Sequence, residues 1–237
     1  MILQCEQVIA GYDGSDILKG LDFSIEKGTT TCIVGPNGAG KSTVLRVLSG
    51  LLKARRGKVT FDGQSIVGCS PRQILALGIV QVPQEHSLFP DMTVRENVRL
   101  GGYLLRDTAL VNKRLQEVEN FFPLVKERAG ERAVNLSGGQ RRLIEFARAL
   151  MLDPKLILLD EPSMGLDPKT LKQIFESMKA MHELGKTILL VEQNVRAGLS
   201  VATHGLVLES GKVRLTGSAQ EILNNPEIGS LYLGGNI

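Results

Sequence analysis

Nine consecutive residues, Gly35-Pro36-Asn37-Gly38-Ala39-Gly40-Lys41-Ser42-Thr43, follow the pattern G-x-x-x-x-G-K-[ST]. Each residue type has a chemical use. Glycines allow a tight turn that points successive backbone N–H groups into one concavity, which suits an anion. Lys41 adds a cation for β- and γ-phosphates, and Ser42 adds a hydroxyl ligand for Mg²⁺. Thr43 places a second hydroxyl within reach of an α-phosphate. A helix starting here would contribute its unpaired N–H groups and the positive end of its dipole. The stretch therefore reads as a phosphate-binding loop for a nucleotide.

Acids that match this loop stand much later in the chain. Four aliphatic residues, Leu156-Ile157-Leu158-Leu159, run into Asp160 and Glu161. Asp160 is suited to hold Mg²⁺ through water beside a phosphate loop. Glu161, next to it, is placed to polarise an attacking water as general base. Gln84 follows the apolar run 78–83 and carries both a donor and an acceptor. It could ligate Mg²⁺, orient a water, or be a solvated loop residue. Ser137, followed by Gly138, Gly139 and Gln140, opens an apolar-periodic segment. Ser137 is a sound helix N-cap, and a helix N-terminus with a hydroxyl and close backbone is a second anion site. Tyr12, at a loop tip, could stack on adenine or lie half-buried at a strand end.

Positioning these groups requires strands that end at them. Residues 29–34, before the loop, are β-branched and apolar, the pattern of a buried strand. After it, Val44, Leu45, Val47, Leu48, Leu51 and Leu52 repeat with helical spacing and predict one wide apolar face. Strand patterns recur at 78–83, 156–160 and 187–192, each separated by helical segments, which predicts an α/β fold with a mostly parallel sheet. Residues 2–9 and 21–25, with a turn at 11–14, predict an antiparallel β-lobe. Residues 57–63 read as a strand ending in an Asp-Gly turn. About residues 85–152 carry only helical patterns, at about 93–105, 108–122 and 138–152. That is too long for an ordinary connection and predicts an inserted helical lobe. A hairpin over 205–217, turning at Ser210-Gly211, and a short helix with an irregular tail over 218–233 close the chain.

A chain of 237 residues suits a single domain with a lobed insertion. A net charge of +3 does not argue for a nucleic-acid partner, and none is expected. The three cysteines, Cys5, Cys32 and Cys69, are widely spaced and odd in number, which argues against a disulfide framework or zinc site. No run reaches the 18 or so apolar residues of a membrane span, and no signal-peptide pattern is visible. Any relation to a membrane would therefore go through another protein.

Taken in order and spacing, the phosphate loop, Gln84, the signature over 136–140, Asp160 with Glu161 and the loop over 163–167 resemble the ATPase subunits of ATP-binding cassette (ABC) transporters across essentially the whole chain. The resemblance implies a single ABC ATPase domain over residues 1–237, with ATP and Mg²⁺ as cofactors. It implies a head-to-tail pairing with a second ATPase subunit, in which Ser137, Gly138, Gly139 and Gln140 meet the partner's ATP. It places Tyr12 against adenine. It also implies two membrane permease subunits docked on the helical lobe and the Gln84 loop, a solute-binding protein acting indirectly, and a peripheral position on the cytoplasmic face of the inner membrane. The sequence departs from the family at Gln193, where most members carry a histidine that contacts the γ-phosphate. An amide can donate to phosphate but carries no charge and relays no proton. The segments 160–166, 191–194 and 97–103 resemble the ATPase subunits of branched-chain amino acid importers, and urea or short-amide importers look similar. In that arrangement the partner ATPase is a different chain.

Overall fold

The computed structural model describes residues 1–84 and 87–228. Its first element, β1 (Leu3–Tyr12), pairs antiparallel with β2 (Ser15–Ile25) across a two-residue turn. Both turn residues, Asp13 and Gly14, have positive φ, at 44° and 84°. That twist matches the strands it joins, so β1 runs on through Tyr12 instead of stopping at residue 9. The buried strand β3 (Thr30–Val34) leads through the phosphate loop into α1 (Lys41–Leu48). The helix is shorter than its apolar repeat predicts. Gly50 turns the chain at φ 75°, and Leu51 is 63% exposed instead of packing with Leu45 and Leu48.

Next, β4 (Arg56–Phe61) and β5 (Gln64–Ser65) complete a four-stranded sheet in the order β2-β1-β4-β5, the expected antiparallel lobe. A short helix, α2 (Pro71–Leu77), precedes β6 (Ile79–Val82). The inserted lobe follows, holding α3 (Val94–Leu100), α4 (Thr108–Phe121), α5 (Pro123–Glu127) and α6 (Gly138–Leu150). Two of its helices differ from expectation. The segment predicted over 93–105 ends at Leu100, before Gly101 and Gly102, and the one predicted over 108–122 gives way to α5 at Pro123. Asn97, fully buried, ties the lobe's entry together. Its amide nitrogen donates to the Phe89 carbonyl at 2.9 Å, and its Oδ1 accepts from the Phe89 N–H at 2.8 Å.

The chain then returns to the core through β7 (Leu156–Asp160), α7 (Pro168–Glu183), β8 (Thr187–Glu192), α8 (Val195–Ser200), β9 (His204–Glu209), β10 (Lys212–Ser218) and α9 (Ala219–Leu223). Among the described residues six strands form the main sheet in the order β10-β9-β3-β8-β7-β6, and only the β9–β10 pair is antiparallel. The β9–β10 pair is the expected terminal hairpin. Residues 85 and 86, at the lobe's entry, and 229–233, the end of the expected tail, lie outside the described residues.

Burial on both faces explains the continuous aliphatic runs of the central strands. Along β7, Leu156 and Leu158 join a core under the antiparallel lobe with Ile33, Leu45, Leu48 and Phe61. Ile157 and Leu159 point the other way, into a core shared with Ile144, Phe146, Ile174 and Ile188. One strand thus fastens both layers through the twofold alternation of its side chains. Cys5, Cys32 and Cys69 are free thiols, the first two buried and the third partly so. Among the described residues no helix is long and apolar enough to cross a membrane.

Candidate nucleotide site

The C-terminal ends of parallel strands are where an open α/β sheet collects ligands, and here β3, β6, β7 and β8 end in the predicted polar residues. β3 runs straight into the loop 35–40. Gly40 sits at φ 106°, a left-handed value, and a Cβ there would stand 2.9 Å from Leu18 Cδ2. Glycine answers both demands. Gly40 is also the N-cap of α1, and no side chain caps the helix. The first-turn amides, which have no intrahelical acceptor, therefore open toward the loop's concavity. Lys41, 5% exposed, donates from Nζ to the carbonyls of Gly35 at 3.0 Å and Pro36 at 3.3 Å. The same nitrogen lies 3.7 Å from Glu161 Oε1.

Ser42 Oγ donates to Asp160 Oδ1 at 3.1 Å, joining α1 to the end of β7 across 118 residues of chain. Burial raises the Asp160 carboxyl above its ordinary range, while the Ser42 hydrogen bond pulls it back. This hydroxyl–carboxylate pair offers the hard oxygen ligands that Mg²⁺ prefers. The loop amides and Lys41 offer the charge and donors that a polyphosphate needs. The residues present therefore fit a magnesium–nucleotide complex.

Glu161, the residue after β7, has φ 43°, and its N–H donates to the Val191 carbonyl at 3.0 Å. Its carboxylate is flanked on two sides. Lys41 approaches Oε1, and Gln84 Nε2 donates to Oε2 at 3.3 Å. Gln84 also contacts Met164 Sδ at 3.0 Å. The amide nitrogen of Gln84, not its oxygen, is the atom turned to Glu161. Gln193 is exposed after β8 and lines one cleft of about 510 Å³ with Glu161, Ser163, Met164, Glu192 and Asn194. Tyr12 ends β1, 38% exposed, with the Arg46 guanidinium 5.9 Å from its ring centroid.

The signature lies apart from this cluster. Ser137 caps α6 in a reciprocal box: its Oγ accepts from Gln140 N–H at 3.3 Å, and Gln140 Oε1 accepts from Ser137 N–H at 3.0 Å. Among the described residues, Ser137 makes no hydrogen bond to the phosphate loop or to the acids. Gly138 has open space on its side-chain face. Gly139 does not, because a Cβ there would fall 2.2 Å from Thr170 Cγ2 in the first turn of α7. The close approach expected at these glycines is therefore, at Gly139, an internal one. Asp167, which ends the loop 163–167, caps α7 by accepting from Lys169 and Thr170 N–H groups at 3.0 and 3.1 Å.

Sequence reasoning missed the link between the two regions. Arg142, on α6, is 4% exposed and reaches both strand ends. It donates to the Pro83 carbonyl at 2.6 Å, the Asp160 carbonyl at 3.1 Å and Glu145 Oε2 at 3.1 Å. Glu145, with a fully buried side chain, accepts in turn from Ser87 N–H at 2.6 Å. Locally this is an ordinary i, i+3 charged pair, and nothing in its spacing separates it from a solvated one.

Comparison with known proteins agrees with this geometry. The family model described as ABC transporter matches residues 18–164. The high-affinity branched-chain amino acid transport ATP-binding protein BraG of Pseudomonas aeruginosa is 36% identical over 234 residues, covering 99% of this chain and all of that protein. Among solved structures, the ADP conformation of MJ1267, an ATP-binding cassette of an ABC transporter, superposes with a TM-score of 0.86 at 30% identity, covering 98% of both chains. A dimeric post-hydrolysis state of the cassette MJ0796, bound to ADP and Pi, gives 0.80 at 27% identity, covering 92% of this chain and 99% of that one. With the loop, the paired acids and the signature in place, the chain belongs to the ABC transporter family, as its ATP-binding domain.

Proposed function

We propose that this chain hydrolyses ATP to power a branched-chain amino acid importer, paired head-to-tail with a second, different ATPase subunit. The observation that carries the hydrolysis reading is Glu161, held between Lys41 and Gln84 at the mouth of the phosphate loop. The loop amides and Lys41 hold the β- and γ-phosphates, and the Tyr12 ring supports the base. Ser42 and Asp160, and with them Gln84, would hold Mg²⁺, which would neutralise phosphate charge. Glu161 accepts a proton from the attacking water, and the Gln193 amide donates to the γ-phosphate. Ser137, Gly138, Gly139 and Gln140 serve the partner's nucleotide, and the partner's signature serves this one.

The substrate reading is supported by similarity to BraG along the full length of both chains. A groove of about 210 Å³ lined by Leu75, Val82, Leu100, Tyr103, Arg148 and Leu152 supports docking of a permease segment at the cytoplasmic face of the membrane. Gln81 Oε1 is buried in that wall with no hydrogen-bond partner among the described residues. Gln193 favours a second reading, in which this chain binds ATP and closes the pair while its partner does most of the hydrolysis.

Steady-state ATP turnover with Mg²⁺, for wild type, Glu161→Gln and Gln193→His, separates the two. The hydrolysis reading expects a working wild type and a loss of roughly 10²–10⁴-fold in Glu161→Gln. A silent wild type that gains activity in Gln193→His sinks it and supports the second reading. Stimulation of the reconstituted transporter by leucine-loaded solute-binding protein, and not by urea, tests the substrate.

A further inference from the structure

Glu192 is a buried carboxylate that the reaction as described does not use. It is the last residue of β8 and is 2% exposed. Its Oε1 accepts from the Ser163 N–H at 3.0 Å. One residue earlier, the Val191 carbonyl accepts from Glu161 N–H at 3.0 Å. The turn that carries Glu161 is thus fastened to the end of β8 at two points, one through backbone and one through this side chain. Room for the carboxylate comes from Gly198 of α8, where a Cβ would stand 2.9 Å from Glu192 Cβ and 2.6 Å from Cys32 Sγ. Glu161 itself has φ 43°, a conformation that a glutamate keeps only when its surroundings hold it there. Glu161, Ser163, Glu192 and Gln193 line the same cleft.

We propose that Glu192 is a positioning residue for hydrolysis: through the Ser163 N–H it holds the 161–163 turn in the left-handed form that aims the Glu161 carboxylate at the cleft. The proposal rests on the hydrolysis reading above. Two features separate it from a role in packing alone. The contact is a hydrogen bond to the segment that carries the base, so its loss acts on the reaction and not on nucleotide affinity. The acceptor oxygen does the holding, so a neutral acceptor of the same shape replaces it.

Wild type, Glu192→Gln, Glu192→Ala and Glu192→Asp are compared in Mg²⁺–ATP turnover, in binding of a fluorescent ATP analogue, and in amide hydrogen exchange across residues 161–167. Glu192→Ala is expected to lower kcat by roughly ten- to a hundredfold, the scale of a misplaced catalytic group. KM and analogue affinity stay near wild type, and exchange at Ser163 speeds up. Glu192→Asp keeps the charge but withdraws the acceptor by one methylene. It behaves like Glu192→Ala, and stands in for it if the alanine variant does not fold. Glu192→Gln stays close to wild type in all three measurements. In a Glu161→Gln background, Glu192→Ala adds no further loss, because the two residues act as a unit. Wild-type kcat in Glu192→Ala, an equal loss in Glu192→Gln, or a raised KM at unchanged kcat overturns the proposal. If wild type itself is silent, the hydrolysis reading falls, and the exchange data then decide the contact: unchanged exchange at Ser163 in Glu192→Ala overturns it.

Discussion

The phosphate-loop end and the signature end of this chain satisfy their polar groups in opposite ways. At the loop, Lys41, Ser42, Gln84, Asp160 and Glu161 come from distant stretches and complete one another across the strand ends. At the signature, Ser137 and Gln140 satisfy each other three residues apart, and Ser137 stays exposed. The first arrangement is a constellation that the fold assembles. The second is a helix end that satisfies itself, and Arg142 connects that helix to Pro83 and Asp160.

Cutting that connection has the largest expected effect. Arg142→Ala strips the donor from the Pro83 and Asp160 carbonyls and leaves Glu145 buried without its cation. Breaking a buried pair costs about 3–5 kcal/mol, a fall in Tm of roughly 10 °C for a chain of this size. A calorimetric Tm close to wild type would show that the two ends are not tied through this side chain. Ser137→Ala comes next. It removes a cap contributing about 1 kcal/mol and leaves binding of an ATP analogue to the isolated chain unchanged. In the assembled pair it slows turnover. Weakened analogue binding in the isolated chain would erase the distinction between the two ends.

The smallest effect concerns stability and pH. Burial holds the Glu192 carboxyl above its usual 4.5, and the Ser163 hydrogen bonds only partly offset this. A carboxyl with a raised folded-state pKa contributes stability that is fully present below the unfolded value and lost as pH rises through the folded one. Glu192→Gln, neutral throughout, is therefore expected to melt above wild type near pH 7.5. The gap closes as the pH falls toward 4.5. A gap that widens on acidification would reverse the sign assigned to this burial.

What the sequence made legible was local. The phosphate loop is contiguous, and β7 and β8 are unbroken aliphatic runs because both of their faces are covered. The acids at their ends, Asp160 and Glu161 after β7 and Glu192 on β8, could be placed because a strand end follows from its run. The contacts of Arg142, Glu145 and Glu192 could not be read in this way. Their partners, Pro83, Ser87 and Ser163, stand 29 to 59 residues away, and nothing in the neighbouring residues names them. Helix ends failed for a related reason. The apolar repeat through Leu51 continues past α1, but a left-handed Gly50 turns the chain first and leaves Leu51 in solvent. At Gly139 the residue type was informative and the neighbour was not. Thr170 meets it only after β7 has brought α7 alongside α6.

The place of β6 has a kinetic consequence. Among the described residues it lies at the edge of the main sheet and pairs only with β7, although the whole helical lobe separates the two in sequence. Closing so long an excursion adds little equilibrium cost, since each doubling of loop length adds only about 0.6 kcal/mol. It does delay the pairing, because contacts of high sequence separation must meet their closure entropy before they are rewarded. During synthesis the β6 segment emerges well before β7. Gln84 therefore reaches Glu161 only once the lobe has been made and the chain has returned to the core, so this contact forms late, although its first half is made early.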